Sequence, residues 1–445
     1  MNRLIRDFRE RKVLKNHDAV VVGAGRSGVA AAKLLVVLGA NVTVVDANKN
    51  LPQRNIDAVA ALGPSARLEA GPHTEAQFRH ADIVVLSPGV PVKRLESVLT
   101  AVPERKVVAE LELASWFIER PVIAITGTNG KTTTTTLVGH ILSASGRRPF
   151  VGGNIGTPLC EHLLGDTPAD VLVLEVSSFQ LQNCRMFKPD VGVLLNFSAN
   201  HLDYHADMEE YLHAKLNLFA RQTPEDVAVL PAAMREALET RDFTRARKVW
   251  YAPMDRFVCP GLPGEHNRAN IEAAWQAVSA LGVTVDEAAE AVREFVGLEH
   301  RIQALGEKDG ILFVNDSKST NLDATTAAVQ SFGRPVRLLL GGVFKGGDVS
   351  SLLPALRGRA VQIGLFGAAR EVFEQGLGDE FPIFWEPSLE GAVKRLYADA
   401  VPGDMILLSP ATASFDAYSG YAERGRDFQR IFAELPEGMH EGAGA

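Results

Sequence analysis

The strongest chemical signal in the sequence is V-I-A-I-T-G-T-N-G-K-T-T at 122–133. An apolar run leads into a glycine-rich turn, and Lys131 and Thr132 follow where a helix should begin. In such a loop backbone N–H groups cradle phosphates, the lysine serves the β- and γ-phosphate oxygens, and the hydroxyl can bind Mg²⁺. The usual first glycine is replaced by Ile125, so the loop is shortened. The stretch predicts a triphosphate site, with a purely structural turn as the alternative.

Two later segments could supply metal ligands. Glu175 ends the apolar run V-L-V-L-E, where an acid could meet a Mg²⁺ held beside the loop. In N-H-L-D-Y-H, His201 and His205 stand four residues apart, with Asp203 between them. That spacing could also hold zinc on a helix. Because no third His or Cys ligand is obvious, the sequence favours magnesium over zinc.

A lysine follows on a predicted helix. Tyr211, Lys215 and Phe219 are spaced four residues apart, so they share one helix face. A lysine between aromatic residues can be a stem that carries its charge out to water. It can also act near the metal, and the spacing alone leaves both interpretations open.

The N-terminal region contains G-A-G-R-S-G at 23–28, after one predicted strand and before a helix. Asp46 ends the next strand, near the place where a dinucleotide fold carries its ribose-binding acid. Glycines let the backbone approach a diphosphate, and a helix N-terminus favours its charge. The motif alone is weak, since a glycine turn that only packs a helix on a strand reads the same way. It indicates a nucleoside diphosphate site without specifying the nucleotide.

Apolar, β-branched runs alternate with helical stretches along the whole chain. Such runs suit strands that are buried on both faces and joined by helices, as parallel sheets require. The predicted class is α/β, repeated several times. The predicted strands are 19–23, 42–46, 82–87, 122–126, 171–175, 191–196, 311–315, 336–341, 361–366 and 404–409.

Composition limits the function classes. The 445 residues are too many for one ordinary domain, and roughly three domains are expected. A formal charge of −8 argues against nucleic acid or an anionic membrane as a generic partner. Three scattered cysteines and a charged N-terminus favour a reducing, cytoplasmic setting, and no apolar window is long enough to span a bilayer. No pattern speaks to oligomeric state, and a monomer is the default expectation.

Seven motifs then occur in the order found in the Mur ligases, which the chain resembles over nearly its whole length. These enzymes are ATP-dependent amide ligases of peptidoglycan precursor synthesis, and they carry the same shortened phosphate loop. The motifs are T-G-T-N-G-K-T-T, L-E-V-S-S-F-Q-L, N-H-L-D, A-K-L, G-E-H-N-R-A-N, H-R and N-D-S-K-S-T-N.

Within the family, the chain looks like the member that adds D-glutamate to UDP-N-acetylmuramoyl-L-alanine. N-D-S-K-S-T-N (315–321) stands where the alanine and diaminopimelate ligases carry another motif. The D-N-P-R signature of the diaminopimelate-adding ligase is absent from the sequence. S-P-A-T-A-S-F-D (409–416) resembles the stretch that holds the amino acid in the D-glutamate ligase.

The resemblance implies three domains. A Rossmann-like domain at 1–110 would bind the UDP substrate, a central P-loop ATPase-like domain at 111–299 would bind ATP, and a Rossmann-like domain at 300–445 would bind the amino acid. In the first domain G-A-G-R-S-G becomes a uridine-diphosphate cradle, although Arg-Ser replaces the Leu-Thr that this family member often carries. The implied UDP-substrate residues are Arg26, Ser27, Asp46, Ser87, Pro88, Gly89 and Asn154.

For ATP the resemblance implies a site with two Mg²⁺ ions. Thr132 and Glu175 would bind one ion and His201 the other, while Lys215 would be carbamylated and support that second metal. Lys131, Glu175, His201 and Lys215 form the implied catalytic set. The implied ATP residues are Asn129, Gly130, Lys131, Thr132, Thr133, His266, Asn267, Asn270, Arg301, Asp316 and Lys318. The implied D-glutamate residues are Lys318, Thr320, Lys345, Ser414, Phe415 and Tyr421.

Three other functions remain open at this stage. A Mur-type or folylpolyglutamate-type ligase with another acceptor would carry the same ATP site. A nicotinamide-dependent oxidoreductase would use the first glycine motif and Asp46 but leave the phosphate loop unexplained. A non-catalytic nucleotide switch would make no amide.

Overall fold

The computed structural model describes residues 10, 13–88, 90, 92–100, 102–103, 106–200 and 204–436. The predicted site residues Gly89 and His201 lie outside these ranges. The chain forms two compact units, one of Met1–Ala252 with Asn270–Ala291 and one of Pro253–Ala269 with Val292–Ala445. Three sheets organise them, two in the first unit and one in the second. The predicted α/β class is confirmed, while the predicted boundaries at 110 and 299 stay predictions.

The first sheet is parallel throughout, with strand order β3-β2-β1-β4-β5. Valine-rich strands are buried on both faces at its centre, and the alanine-rich side of the first helix packs closely onto them. In chain order its elements are β1 (Asp18–Val22), α1 (Arg26–Val37), β2 (Asn41–Asp46), α2 (Gln53–Ala60), β3 (Ala66–Ala70), α3 (Glu75–Phe78), β4 (Ile83–Leu86), β5 (Val107–Ala109) and the connecting α4 (Glu110–Ser115).

The second sheet is also parallel, with order β11-β10-β9-β6-β8-β7. Its central strands are fully buried, which explains their near-continuous apolar sequences. The elements are β6 (Val122–Thr126), α5 (Lys131–Ala144), β7 (Pro149–Gly153), α6 (Leu159–Leu164), β8 (Val171–Glu175), α7 (Ser178–Gln182), β9 (Val191–Leu194), α8 (Met208–Leu216), β10 (Val227–Pro231), α9 (Arg235–Glu239), β11 (Arg247–Tyr251), α10 (Glu265–Ser279) and α11 (Val285–Glu294).

The third sheet is mixed, with order β12-β13-β17-β14-β15-β16 and an antiparallel edge pair, β12 with β13. Separate apolar clusters cover its two faces. The elements are β12 (Gln303–Lys308), β13 (Ile311–Asn315), α12 (Leu322–Gln330), β14 (Val336–Gly341), α13 (Leu353–Leu356), β15 (Ala360–Phe366), α14 (Arg370–Leu377), β16 (Ile383–Glu386), α15 (Leu389–Asp399), β17 (Met405–Leu408) and α16 (Tyr421–Glu434).

All ten predicted strands exist, with ends shifted by at most two residues, and the described part of the chain contains seven further strands. Six of these seven are the edge strands of the three sheets, β3, β5, β7, β11, β12 and β16. Apart from the three-residue β5, which is buried, these edge strands are only partly buried, so they do not need a continuous apolar run. β3 (A-R-L-E-A) and β12 (Q-A-L-G-E-K) illustrate this, because neither has a fully buried residue. The seventh, β10, is apolar and buried, and the prediction simply missed it.

One hydrophobic core joins the first two sheets. It runs from Val21 and Val44 of the first sheet to Ala124 and Leu174 of the second, with α1, α4 and α6 packed together between them. This continuity explains why the two sheets belong to a single compact unit.

Glu112, in the connecting helix α4, bonds this helix to the segment that precedes β9 of the second sheet. Its carboxylate is 1% exposed and accepts the backbone N–H groups of Arg185, Met186 and Phe187 at 2.9–3.1 Å. A buried carboxylate is tolerated only where donors replace its water, and three converging amides do so here.

Replacing Glu112 with Gln should therefore destabilise the first unit. The amide offers one acceptor oxygen and turns an N–H₂ group toward the same backbone donors, so we expect a loss of about 2–4 kcal/mol. The urea midpoint of the full-length chain measures this. Glu119→Gln, at an exposed position of the same connection, is the matched control, and equal midpoints for the two variants would contradict the role of Glu112.

Candidate functional site

Three polar segments meet at the carboxyl edge of the first sheet. The Gly23 N–H donates to Val45 O at 2.7 Å, and the Ala24 N–H donates to Asp46 Oδ2 at 2.8 Å. The Ser87 hydroxyl donates to Gly23 O at 3.2 Å. The structure therefore brings together the glycine turn, Asp46 and the Ser87–Pro88 turn, as the UDP-site prediction requires. Asp46 holds the turn in shape through its bond to the Ala24 N–H, and its other oxygen accepts the Asn48 N–H.

Gly28 shows why this turn needs glycine. A Cβ at this position would overlap the carbonyl oxygen of Gly23 and crowd the Ser87 hydroxyl. The helix can therefore begin directly against the turn only without a side chain there. Ser27 lies half-buried beside it, in the first turn of α1. The guanidinium of Arg26 bonds instead to residues outside this turn, namely Gly156, Thr157 and Glu161.

The shortened phosphate loop lies between β6 and α5. Gly130 caps the helix with φ +82°, and a Cβ there would collide with the Asn270 side chain. The Asn129 N–H donates to Asn196 Oδ1 at 2.8 Å, while Asn196 Nδ2 donates to Asn129 O at 3.0 Å. These paired amide bonds fix the loop. The ammonium of Lys131 lies inside it, donating to Gly127 O at 2.8 Å and Thr128 O at 2.7 Å.

Glu175 lies directly beside this loop. β8 pairs with β6 so that Glu175 is opposite Ile125, and its carboxylate is only 3% exposed. The Thr132 hydroxyl donates to Oε2 at 2.7 Å, and Asn154 Nδ2 donates to Oε1 at 2.7 Å. A hydroxyl and a carboxylate oxygen are thus adjacent, the donor types that Mg²⁺ prefers. Thr133 lies buried in the same first turn of α5.

Lys215 is buried under the loop. It is 1% exposed, and its Nζ donates to Gly127 O at 2.8 Å and lies 4.4 Å from the ring centre of Tyr211. The interpretation that Lys215 carries its charge out to water is wrong, because its amine is as buried as its methylene chain. Burial, and secondarily the charge of Lys131, lower the pKa of Lys215 well below its ordinary value. The amine is thus far easier to deprotonate than that of an exposed lysine.

His205 lies within an aromatic cluster. Its ring is 1% exposed, lies close to Phe179, Tyr204 and Tyr211, and its Nε2 is 3.0 Å from the Ser178 hydroxyl. Within the described ranges, no group of three or more His, Cys, Asp and Glu side chains could hold a metal ion. Among the described residues, Glu175 is therefore not part of a cluster of three or more such side chains.

The predicted adenine-side residues lie at the start of α10. Burial lowers the pKa of His266 to about 4, so its ring is neutral at neutral pH. Asn267 is 4% exposed, and its Nδ2 donates to Pro263 O at 2.7 Å. Of these three residues, Asn270 lies against the phosphate loop, because its side chain is adjacent to Gly130.

The third sheet gathers a second polar site at its carboxyl edge. Asp316 follows β13 and is 3% exposed. Its Oδ2 accepts the hydroxyls of Ser319 at 2.5 Å and Ser409 at 2.8 Å, and its Oδ1 accepts the Ile302 N–H at 3.2 Å. Burial raises the pKa of Asp316 to about 6 against the opposing effect of these donors. The carboxyl group thus organises three segments around itself.

The predicted D-glutamate residues lie in segments that follow strands β13, β14 and β17. Lys318 Nζ lies 3.8 Å from the ring centre of Tyr421, the first residue of α16. Ser414 is buried, whereas the neighbouring Phe415 is 72% exposed. Thr320 is half-buried, as is Arg301 of the predicted ATP set, and Lys345 is exposed after β14. The sheet brings these residues to one edge because β13, β14 and β17 are adjacent parallel strands.

Arg424 holds the same edge together, although no sequence pattern indicated this role. It is fully buried and donates to Ser317 Oγ and O, Gly341 O and Thr412 O at 2.9–3.1 Å. These acceptors lie at or just after the ends of the three strands β13, β14 and β17. Burial lowers its pKa to about 10, so the guanidinium remains charged at neutral pH.

Sequence reasoning also missed Asn196, which pairs with Asn129, and Ser409, which pairs with Asp316. Each is the last residue of a predicted strand and lies within two residues of the end of the observed one, and Glu175 and Asp316 also lie at strand ends. Polar residues at the carboxyl ends of adjacent parallel strands were therefore an available signal. Arg424 carried no such signal, because it lies in the highly charged segment A-E-R-G-R-D, which is typical of an exposed helix.

Three family models match the chain in succession. They describe a Mur ligase MurD-like N-terminal domain at 17–108, a Mur ligase middle domain at 125–258 and a Mur ligase glutamate ligase domain at 300–412. Together they cover well over half of the sequence, and each contains one of the three sheets or most of it.

Individual relatives agree with the family models. A protein of Oleidesulfovibrio alaskensis named UDP-N-acetylmuramoylalanine--D-glutamate ligase is 53% identical over 420 residues, covering 93% of each chain. One of the same name from Desulfovibrio desulfuricans is 48% identical over 432 residues, 96% of this chain and 98% of its own. The fold is similar to MurF ligase of Thermotoga maritima, solved in complex with ADP, with a TM-score of 0.58, 17% identity and 95% of each chain covered.

The buried Asp316 should make the stability of the second unit depend on pH. Its pKa is about 6 when folded and near 3.8 when exposed. Between these values the folded state holds about one more proton than the unfolded state, so stability should fall as pH rises through this window. Asp316→Asn should remove that dependence, about 1.4 kcal/mol per pH unit at its steepest.

Urea unfolding between pH 4 and pH 7 measures the effect. Asp323→Asn, at an exposed position of α12, is the matched control and should keep the wild-type slope. A wild-type slope in Asp316→Asn would show that this carboxyl group does not titrate as its burial implies.

Proposed function

The chain belongs to the Mur ligase family, and from that premise we propose that it joins D-glutamate to the L-alanine carboxylate of UDP-N-acetylmuramoyl-L-alanine. It is an ATP-dependent ligase that forms an amide bond in peptidoglycan precursor synthesis. The two relatives above carry this activity in their names and align with over nine-tenths of this sequence. Of the helices that the structure describes, none is both long and apolar enough to cross a membrane.

The chemistry requires ATP because a carboxylate does not condense with an amine at neutral pH. In the proposed first step the alanine carboxylate oxygen attacks the γ-phosphorus, which forms an acyl phosphate and releases ADP. In the second step the amine of D-glutamate attacks the acyl carbon, phosphate departs, and the amine gives up its proton. Negative charge grows on phosphoryl oxygens in the first step and on a tetrahedral oxyanion in the second, so fixed positive groups lower both barriers.

The proposal rests above all on one contact, the 2.7 Å hydrogen bond between Thr132 Oγ1 and Glu175 Oε2. It puts the hydroxyl of a phosphate loop and the carboxylate of a neighbouring strand within reach of one ion. A Mg²⁺ bound there would withdraw charge from the phosphoryl oxygens. Lys131 would exchange its bonds to Gly127 and Thr128 for the β- and γ-phosphates. His201 as a second metal ligand stays a prediction.

The surroundings of Lys215 support a carbamate at this position. Carbamylation needs a neutral amine, and burial beside Lys131 favours the neutral form. The Lys215 amine would add to CO₂ with loss of one proton, and the resulting N–H could still donate to Gly127 O. The product is an anion beside Lys131, so a repulsive pair would become an attractive one. Such an anion would suit a second Mg²⁺.

Substrate positions follow from the two carboxyl edges. We place the uridine diphosphate over the glycine turn with Ser27, Asp46, Ser87 and Pro88, where N–H groups at the start of α1 favour phosphate. Asn154, already bonded to Glu175, would meet the muramoyl peptide.

In the second unit we place D-glutamate beside Lys318, Thr320, Lys345, Ser414 and Tyr421, because cations and hydroxyls suit its two carboxylates. A cytoplasmic location, a monomer and the lack of nucleic acid partners are further parts of the proposal.

A phosphate-release assay tests the acceptor. With ATP, Mg²⁺ and UDP-N-acetylmuramoyl-L-alanine present, we expect release with D-glutamate and none with L-glutamate, L-lysine or diaminopimelate. Analysis of the product by mass then distinguishes amide formation from simple ATP hydrolysis. Release with another acceptor would assign a different ligase of the Mur or folylpolyglutamate type, and nucleotide binding without amide would assign a switch.

Lys215→Ala tests the carbamate. The variant should lose most of its turnover, and added acetate or propionate should restore part of it by supplying the missing carboxylate. Lys131→Ala should be equally impaired but unresponsive to these acids, because a carboxylate cannot replace the cation that this variant lacks. No restoration of Lys215→Ala, or full activity of Lys215→Met, would refute a carbamate at this lysine.

A further inference from the structure

Arg26 makes a four-bond connection from the first sheet to the second. It lies in the first turn of α1, and its Nε and Nη2 donate to the two oxygens of Glu161 at 2.9 and 3.0 Å. Nη1 donates to Gly156 O at 2.9 Å, and Nη2 also donates to Thr157 Oγ1 at 3.2 Å. These bonds engage four of the five N–H donors of a guanidinium.

The segment that Arg26 holds is the loop 153–157, which carries Asn154. The Gly153 N–H donates to Thr157 O at 3.1 Å, so the loop is closed on itself. The Asn154 N–H donates to Glu175 O at 2.8 Å, and its side chain donates to Glu175 Oε1 at 2.7 Å. One end of the loop is therefore bonded to the carboxylate beside the phosphate loop, and the other end is bonded to Arg26.

We propose that Arg26 is a positioning residue that fixes the loop 153–157, and with it Asn154, instead of binding uridine directly. The inference rests on the proposed function, in which Asn154 meets the muramoyl peptide. Arg26 follows Gly25 of the glycine turn, so the same turn that receives the diphosphate would also set the position of the residue that receives the peptide. The two ends of one substrate would be kept in register.

The expected effect is modest, because the side chains of Arg26 and Glu161 are 58% and 44% exposed. An exposed ion pair changes an equilibrium by about two- to fivefold. Removing it should therefore loosen the loop without unfolding the chain. Direct binding of the substrate by Arg26 is the rival explanation, since Arg26, Thr157 and Glu161 line an open cleft of about 1020 Å³.

Hydrogen–deuterium exchange of the ligand-free, full-length chain tests the loop itself. In Arg26→Leu and in Glu161→Gln the amides of Gly153 and Asn154 should exchange about two- to fivefold faster than in the wild type. The double variant should exchange no faster than Arg26→Leu alone, because Glu161 acts on the loop only by orienting the Arg26 guanidinium. Arg79→Leu, which breaks an ion pair of similar exposure with Glu75, is the control and should leave these amides unchanged.

Steady-state kinetics with UDP-N-acetylmuramoyl-L-alanine test the consequence. Arg26→Leu and Glu161→Gln should each raise the KM for this substrate by about two- to fivefold, non-additively, with the KM for D-glutamate unchanged. An effect of Arg26→Leu that Glu161→Gln does not share would overturn the proposal in favour of direct binding. Unchanged exchange of the loop amides would also overturn it. Because exchange needs no substrate, it remains decisive even if the chain proves to use another acceptor.

Discussion

The carboxylate of Glu175 is the point on which the active region depends. It is nearly inaccessible to water, so each of its oxygens needs a donor, and Thr132 and Asn154 supply them at 2.7 Å. Through these two bonds a strand end, the phosphate loop and the loop 153–157 are fixed to one another. In the proposed ATP site, these bonds would hold the Thr132 hydroxyl and the Glu175 carboxylate in place beside a metal ion, which would reduce the reorganisation that catalysis requires.

Buried ionisable side chains hold separate segments together at several places. Glu112 collects three backbone amides, Lys215 donates to the phosphate loop from below, and Arg424 collects carbonyl and hydroxyl oxygens from three strand ends. Each group is 1% exposed or less, so each is costly to bury unless its partners are well placed. The same requirement favours one arrangement of these segments, because a displaced segment would leave a buried ionisable group without its partners.

Parallel sheets explain how distant segments form these sites. Strand ends at the same edge of a parallel sheet are neighbours whatever their separation in sequence, and β6, β8 and β9 bring Thr126, Glu175 and Asn196 to one edge in this way. β13, β14 and β17 do the same for Asp316 and Ser409. Apolar runs therefore predicted every central strand except β10, and with them residues such as Glu175, whereas edge strands such as β3 and β12 carried no comparable signal.

The sequence by itself determined the α/β class, the phosphate loop and the likeness to Mur ligases, because these reside in local patterns of glycine, apolar and charged residues. It could not decide which side chains compensate one another. The head group of Lys215 proved buried, and Arg26 proved to bond across to Glu161, because such pairings depend on how helices pack after the sheets form. Arg424 makes the same point most clearly, since a charged residue in a polar helix looks exposed until the tertiary structure encloses it.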